Sequence, residues 1–196
     1  VTNASLLTEP LARELIGSGL DEMKISFYGT DPGTYNRTMV GLDFDKTMAN
    51  VRAFFRLRLE AGSTKPRVVI QYLPQDSNAG RISDFAALFD GLIDRSLGDS
   101  TSVFSLHNFG GGRSFRETGR VVCTVCDYPW RTMVILHDGR VVPCCLDYDG
   151  RLVVGDVNRQ TLAEVWNGAA YTALRADFKR LDYRPHPVCL GCDRIH

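Results

Sequence analysis

Six cysteines are the residues of this sequence whose type and spacing most directly suggest chemistry. All lie in the last 74 of the 196 residues, as two Cys-x-x-Cys pairs and one adjacent pair: Cys123 with Cys126, Cys189 with Cys192, and Cys144 with Cys145. Thiolates grouped in this way bind soft metal centres. Disulfides would be favoured in a secreted protein, and we do not expect this protein to carry a secretory signal. The cysteines therefore predict a zinc ion or an iron–sulfur cluster.

The composition narrows the class of protein. The 23 Lys and Arg residues balance 23 Asp and Glu residues, so the formal net charge is zero and we expect neither a nucleic-acid partner nor a membrane surface. The hydrophobic fraction of 44% is that of a globular protein, and no apolar run approaches the roughly 20 residues of a membrane span. We predict a cytoplasmic protein. Residues 1–5 resemble the interior of a chain, which suggests part of a longer protein.

Residues 1–107 alternate helical and strand patterns. Apolar residues recur every three or four positions in 45–61, which predicts a helix, and the β-branched run 67–73 predicts a buried strand. Residues 22–28 and 102–107 predict two more strands. Helices and strands in succession indicate parallel, right-handed α/β units. Three strands leave both sheet edges unpaired, as in part of a larger sheet.

The pattern changes after a polar, glycine-rich stretch, residues 108–122, which we predict to be a linker. In the following domain, 123–196, Asp138-Gly139 between two apolar runs predicts a β-hairpin. Thr161 and Glu164 form a capping box that opens a helix carried to Leu174. A domain of about 75 residues buries a modest core, so a metal centre would stabilise it.

Five ordered motifs in this second domain resemble the C-terminal SPASM or twitch domain of radical S-adenosylmethionine (radical SAM) enzymes. They are Cys126-Asp127-Tyr128-Pro129-Trp130, the run from Asp138 to Cys145, Gly155-Asp156-Val157, the run from Leu162 to Asn167, and Cys189-Leu190-Gly191-Cys192. The resemblance implies a small α+β domain that holds an auxiliary [4Fe–4S] cluster.

The single-cluster twitch form implies four cysteine ligands. Cys126, Cys144, Cys189 and Cys192, at separations of 18, 45 and 3 residues, match its spacing. Cys123 is the alternate to Cys126, and Cys145 is the alternate to Cys144; either spare thiol could instead be a small buried side chain.

Residues 1–107 resemble the back half of the partial (β/α)6 barrel of the same enzymes. Thr2-Asn3 is similar to the end of its third strand, and the run from Lys24 to Gly29 is similar to its fourth-strand motif. The implied fold class is α/β, the C-terminal half of the barrel followed by the SPASM/twitch domain. Ser26 and Gln71 lie on strands whose inward polar groups contact S-adenosylmethionine in the family, although they could equally be ordinary strand residues.

One motif of the family is missing. The Cys-x-x-x-Cys-x-x-Cys loop that carries the radical-generating [4Fe–4S] cluster does not occur in the 196 residues. We expect it, with most of the S-adenosylmethionine site, upstream of Val1, so that this chain alone would be inactive. A natural protein without the radical cluster is the alternative.

The resemblance implies a radical SAM oxidoreductase or maturase. Its auxiliary cluster would transfer electrons during the oxidation or modification of a small molecule or peptide, and a flavodoxin or ferredoxin would donate electrons to the enzyme. The alternative is a non-catalytic zinc- or iron–sulfur-binding module that recognises a partner or peptide.

Several polar residues receive simpler predictions. Asp147 and Asp149 are expected to stabilise turns. His107 and Asn108 either face substrate, at the end of a barrel strand, or cap a loop. A solvated helix face is predicted for Arg52, Arg56 and Arg58.

Overall fold

The computed structural model describes residues 1–75, 78–104, 106–110 and 125–193. The chain divides into two compact units, Val1–Leu106 and His107–His196. Most of the predicted linker, residues 111–122, and the alternate ligand Cys123 lie outside the described residues. Within the described ranges, no helix has the length and apolar character needed to cross a bilayer.

A three-stranded parallel sheet organises the first unit. Its strands, in spatial order, are β1 (Glu22–Ser26), β2 (Arg67–Tyr72) and β3 (Ser100–Val103). The predicted α/β class is confirmed, whereas β3 begins and ends earlier than the predicted 102–107. The earlier start follows from Gly98, whose φ of 84° ends a 3₁₀ turn directly before the strand. Thr2 extends the sheet on its other side through a parallel bridge to Ile25.

The described part of this unit has four α-helices beside the sheet: α1 (Glu9–Gly17), α2 (Pro32–Thr38), α3 (Phe44–Glu60) and α4 (Ile82–Phe89). Because side chains alternate along a strand, Ile25 and Ile70 share one face, and both are buried in one core with Phe54 of α3. Lys24 and Ser26 occupy the alternate positions of β1 and are only partly buried. One sheet face therefore packs against helices, and the other carries polar side chains.

The predicted solvated arginine face is wrong for Arg58, which is 3% exposed, although the other two arginines of that face are exposed. The Arg58 Nη1 atom donates to Asp99 Oδ1 at 2.9 Å. Asp99 also accepts hydrogen bonds from the N–H groups of Val68 at 2.8 Å and Asp94 at 2.9 Å. Arg58 lies toward the end of α3, where it is paired across 41 positions with a carboxylate directly before β3. A helical pattern alone could not reveal that partner.

In its described residues, 107–110 and 125–193, the second unit contains a small antiparallel sheet and four helices. Its elements are β4 (Val134–Ile135), β5 (Arg140–Val142), β6 (Gly155–Asp156), α5 (Tyr128–Arg131), α6 (Leu162–Trp166), α7 (Ala169–Lys179) and α8 (Pro187–Leu190). The hairpin predicted at Asp138-Gly139 is confirmed. Gly139 has a φ of 90°, and its N–H donates to Leu136 O at 3.0 Å.

The capping box at Thr161 and Glu164 is also confirmed, because each side chain accepts a hydrogen bond from the backbone N–H of the other residue. The single helix predicted to follow is wrong: α6 ends at Trp166, and α7 begins after Gly168. Gly168 has an extended backbone, and a Cβ atom there would lie 2.8 Å from Glu164 O. The turn between the helices therefore needs a glycine.

Candidate metal centre

Four of the six cysteines border one cavity in the second unit. They are the four predicted ligands, Cys126, Cys144, Cys189 and Cys192. The rest of the wall is largely apolar and includes Pro129, Pro143, Leu146, Leu152, Phe178 and Val188. Three separate parts of the chain thus bring their thiols to one place.

Two of these thiols are placed by the beginning of α5 and the end of β5. Cys126 lies two residues before α5, and Cys144 lies two residues after β5. The Thr132 hydroxyl donates to Pro143 O at 2.6 Å, which joins the end of α5 to the segment that carries Cys144. The Leu146 N–H donates to Cys144 Sγ at 3.3 Å. The sulfur of Cys144 is therefore held by its own loop.

The other two thiols lie on and just after the one-turn helix α8. Pro187 is favourable at the first helical position, where no backbone donor is needed. The Cys189 N–H donates to His186 O at 2.8 Å, and the Cys192 N–H donates to Cys189 O at 3.2 Å. His186 Nε2 in turn lies 2.9 Å from Asp177 Oδ2 of α7. These contacts give the Cys-x-x-Cys pair a defined conformation.

Asp147 stabilises the turn that follows Cys144, as predicted. Its two carboxylate oxygens accept hydrogen bonds from the N–H groups of Arg151 at 2.9 Å and Leu152 at 2.7 Å. The side chain is also 1% exposed and borders the cysteine cavity. Sequence reasoning missed this location, because the turn motif gives no information on which way the loop faces.

Burial raises the pKa of two of these thiols. Removal from water raises the pKa of Cys144 to about 12 despite the Leu146 N–H hydrogen bond, and nearby cysteines add to the increase. Burial likewise raises the pKa of Cys189 to about 12, with smaller contributions from three cysteines and Asp147. Thiols in this environment become thiolates when a cationic centre compensates their charge, so binding such a centre would release protons.

Residues 107–110 form a short strap against α8. The Asn108 N–H donates to Asp193 Oδ2 at 2.7 Å, and the Asp193 N–H donates to Asn108 Oδ1 at 3.2 Å. His107 Nδ1 lies 3.4 Å from Asp193 Oδ1. Gly110, which borders the cavity, has a φ of 64°, and a Cβ atom there would lie 2.6 Å from Val188 O. Of the two roles predicted for His107 and Asn108, these contacts favour the loop-stabilising one.

The remaining predicted site residues lie elsewhere. Cys145 is exposed and does not border the cavity, and Cys123 falls outside the described residues. Ser26 and Gln71 pair with each other toward the carboxyl ends of β1 and β2, where Gln71 is 9% exposed. Their contact with S-adenosylmethionine stays a prediction.

The donor side chains of this region distinguish a site for a single metal ion from a site for an iron–sulfur cluster. Within the part of the chain that the structure describes, no three His, Cys, Asp or Glu side chains come close enough to hold a single metal ion. The four thiols instead border a common cavity. An iron–sulfur cluster is held by four thiolates of this kind. The donor set and the apolar wall fit that group.

Comparison with known proteins also points to an iron–sulfur cluster in the second unit. Residues 126–193 match the family model of the SPASM iron–sulfur cluster-binding domain. The S-adenosyl-L-methionine-dependent 2-deoxy-scyllo-inosamine dehydrogenase of Niallia circulans is 24% identical over 70 residues, which are 36% of this chain and 28% of that protein. The chain thus matches less than a third of this curated relative.

Two solved structures resemble the chain. The structure of anSMEcpe with bound AdoMet is 14% identical, with a TM-score of 0.59, and the match covers 97% of this chain and 60% of that one. The complex of BtrN with AdoMet and 2-DOIA is 17% identical, with a TM-score of 0.46, over 98% and 79% of the two chains. The first of these likenesses establishes the fold. The family likeness that these comparisons support is that of residues 126–193 to the SPASM iron–sulfur cluster-binding domain.

Proposed function

We propose that this chain provides the auxiliary-cluster part of a radical SAM enzyme, and that Cys126, Cys144, Cys189 and Cys192 bind one [4Fe–4S] cluster. The observation that carries the proposal is the set of four thiols around one cavity. The SPASM match supports it, since the matched segment begins at the first of these cysteines and ends one residue after the last.

The residues around the cavity suit electron transfer. When bound, a cluster of this type accepts or donates single electrons. Four cysteine ligands leave no iron position open to substrate, which favours electron transfer over direct substrate binding. The apolar wall limits access of water to the sulfurs, which influences the reduction potential. The hydrogen bond from the Leu146 N–H to Cys144 Sγ acts on the same property.

The first unit supplies part of the barrel in this proposal. Ser26 and Gln71 would contact S-adenosylmethionine from the carboxyl ends of β1 and β2. A second [4Fe–4S] cluster and most of the S-adenosylmethionine site would belong to a part of the enzyme outside these 196 residues. A flavodoxin or ferredoxin would supply electrons. The dehydrogenase name of the relative supports oxidation of a small molecule, with peptide modification as the other outcome.

Metal analysis after anaerobic reconstitution with iron and sulfide tests the cluster. We expect about four iron and four sulfide per chain, with the broad visible absorption of an iron–sulfur protein. One zinc per chain and no iron would contradict the proposal and support the non-catalytic zinc module.

Single substitutions test the ligand assignment. Cys126→Ala, Cys144→Ala, Cys189→Ala and Cys192→Ala should each lose most of the bound iron, because each removes one of four ligands. Cys145→Ala is the matched control and should retain it, since that side chain is exposed. Cys123→Ala should also retain it. Loss of iron in Cys145→Ala with retention in Cys144→Ala would show that the wrong member of the pair had been chosen.

A further inference from the structure

One acidic residue that borders the cavity is not a ligand in the proposal above. Asp147 borders the cavity together with the four cysteines, and its side chain is 1% exposed. Backbone N–H groups of Arg151 and Leu152 hold both of its oxygens. The position of this carboxylate is therefore set by the turn, and water does not reach it.

The guanidinium of Arg151 compensates this charge only in part. Arg151 Nε lies 3.8 Å from Asp147 Oδ1, beyond hydrogen-bonding distance, and the Arg151 side chain is 44% exposed. Solvent therefore screens the arginine more than the aspartate. A charge shielded from water acts strongly on its neighbours, because the effective dielectric constant around it is low.

The negative charge of Asp147 would oppose reduction of a cluster in this cavity. Reduction adds a negative charge to an iron–sulfur centre, and the net charge around the centre is one determinant of its potential. A buried carboxylate on a residue that borders the cavity disfavours that added charge. Removal of the carboxylate should therefore make reduction easier.

We infer that Asp147 tunes the auxiliary cluster, holding its reduction potential lower than an uncharged wall of the same shape would. Asp147 acts here as a positioning and electrostatic residue and does not touch substrate. The inference rests on the proposed function, since it requires a cluster in this cavity.

The test is a redox titration of the reconstituted chain, monitored by electron paramagnetic resonance. Asp147→Asn keeps the size of the side chain and one acceptor oxygen. We expect its midpoint potential to rise by an amount equal to about a tenfold change in the ratio of oxidised to reduced cluster, about 59 mV for one electron. Asp149→Asn is the matched control, because Asp149 is exposed in the same loop, and it should keep the wild-type potential. Equal potentials in Asp147→Asn and wild type would overturn the inference.

A second variant leaves the turn intact in case Asp147→Asn fails to hold a cluster. Arg151→Gln removes the partial compensation and should lower the midpoint potential, whereas Arg131→Gln, which alters an exposed arginine paired with Asp127, should not. An unchanged potential in Arg151→Gln also overturns the inference. If the wild-type chain takes up no iron and sulfide, both the proposed function and the inference fail. If the cluster forms but neither variant shifts its potential, only the inference fails.

Discussion

At the scale of single residues, Gly110 sets how closely the strap of residues 107–110 approaches α8. Its φ of 64° lies in the left-handed region, and the space where a side chain would begin is occupied by Val188 O at 2.6 Å. Glycine alone tolerates both conditions without strain. The same residue borders the cysteine cavity, so its conformation affects how well the cavity is closed.

Gly110→Ala should weaken this closure. We expect the folded state to lose about 1–3 kcal/mol, because a non-glycine residue would be strained there and would also displace the backbone of α8. Iron should pass from the reconstituted protein to a chelator several-fold faster than from wild type. The control is Gly91→Ala, where an added Cβ meets no atom within 4 Å. Equal chelation rates in the two variants would show that the strap does not protect the site.

At the scale of elements, the second unit depends on short helices whose ends are defined by specific residues. α6 has only five residues, too few to be stable alone, and it begins at the capping box of Thr161 and Glu164. α7 begins directly after Gly168 and carries Tyr171, Leu174 and Phe178 into the core. The start of α6 therefore helps to place the helix that packs beside the cysteines.

Thr161→Ala tests that dependence. Loss of the hydroxyl that accepts from the Glu164 N–H should cost about 1 kcal/mol of unfolding free energy, which urea unfolding can measure. Thr172→Ala is a matched control, since Thr172 is exposed within α7 and caps no helix. The capping role would be contradicted if both variants had the same urea midpoint.

At the scale of the whole molecule, hydrogen-bonded polar pairs in each unit join segments that are distant in sequence. In the first unit Arg58 and Asp99 are 41 positions apart, and in the second Asn108 and Asp193 are 85 apart. A buried pair of the first kind is costly to break from one side, because the remaining charge lacks a partner. Such pairs favour one specific arrangement of the elements they join.

Acid should destabilise the protein through Asp99. Burial opposes its ionisation, but hydrogen bonds from Arg58 and from the N–H groups of Asp94 and Val68 outweigh burial and lower its pKa below the usual 3.8. Because the pKa of Asp99 is lower in the folded state than in the unfolded state, its carboxylate stabilises the fold fully at pH values above the unfolded-state pKa. That contribution is lost as the pH falls through the folded-state pKa.

We therefore expect Asp99→Asn to be less stable than wild type at pH 7 and to lose less stability on acidification below 3.8, as urea unfolding at several pH values would measure. Asp45→Asn, at an exposed position of the same unit, should follow the wild-type profile. Parallel profiles for Asp99→Asn and wild type would contradict the role assigned to this carboxylate.

The sequence by itself determined the features that depend on neighbouring residues. The turn at Asp138-Gly139, the capping box at Thr161 and the alternation of helices and strands can be recognised within short windows, and the four cysteines can be recognised by their spacing along the chain. Backbone preferences and side-chain periodicity act over a few residues, so they can be recognised in the local sequence.

Only the tertiary structure decided which way those local features face. It buried Arg58 against Asp99, placed Asp147 in the wall of the cysteine cavity, left Cys145 exposed beside Cys144, and joined Asn108 to Asp193. The physical reason is that burial and electrostatic pairing depend on distance in space. Elements that lie tens of residues apart in the chain must pack together before those distances exist.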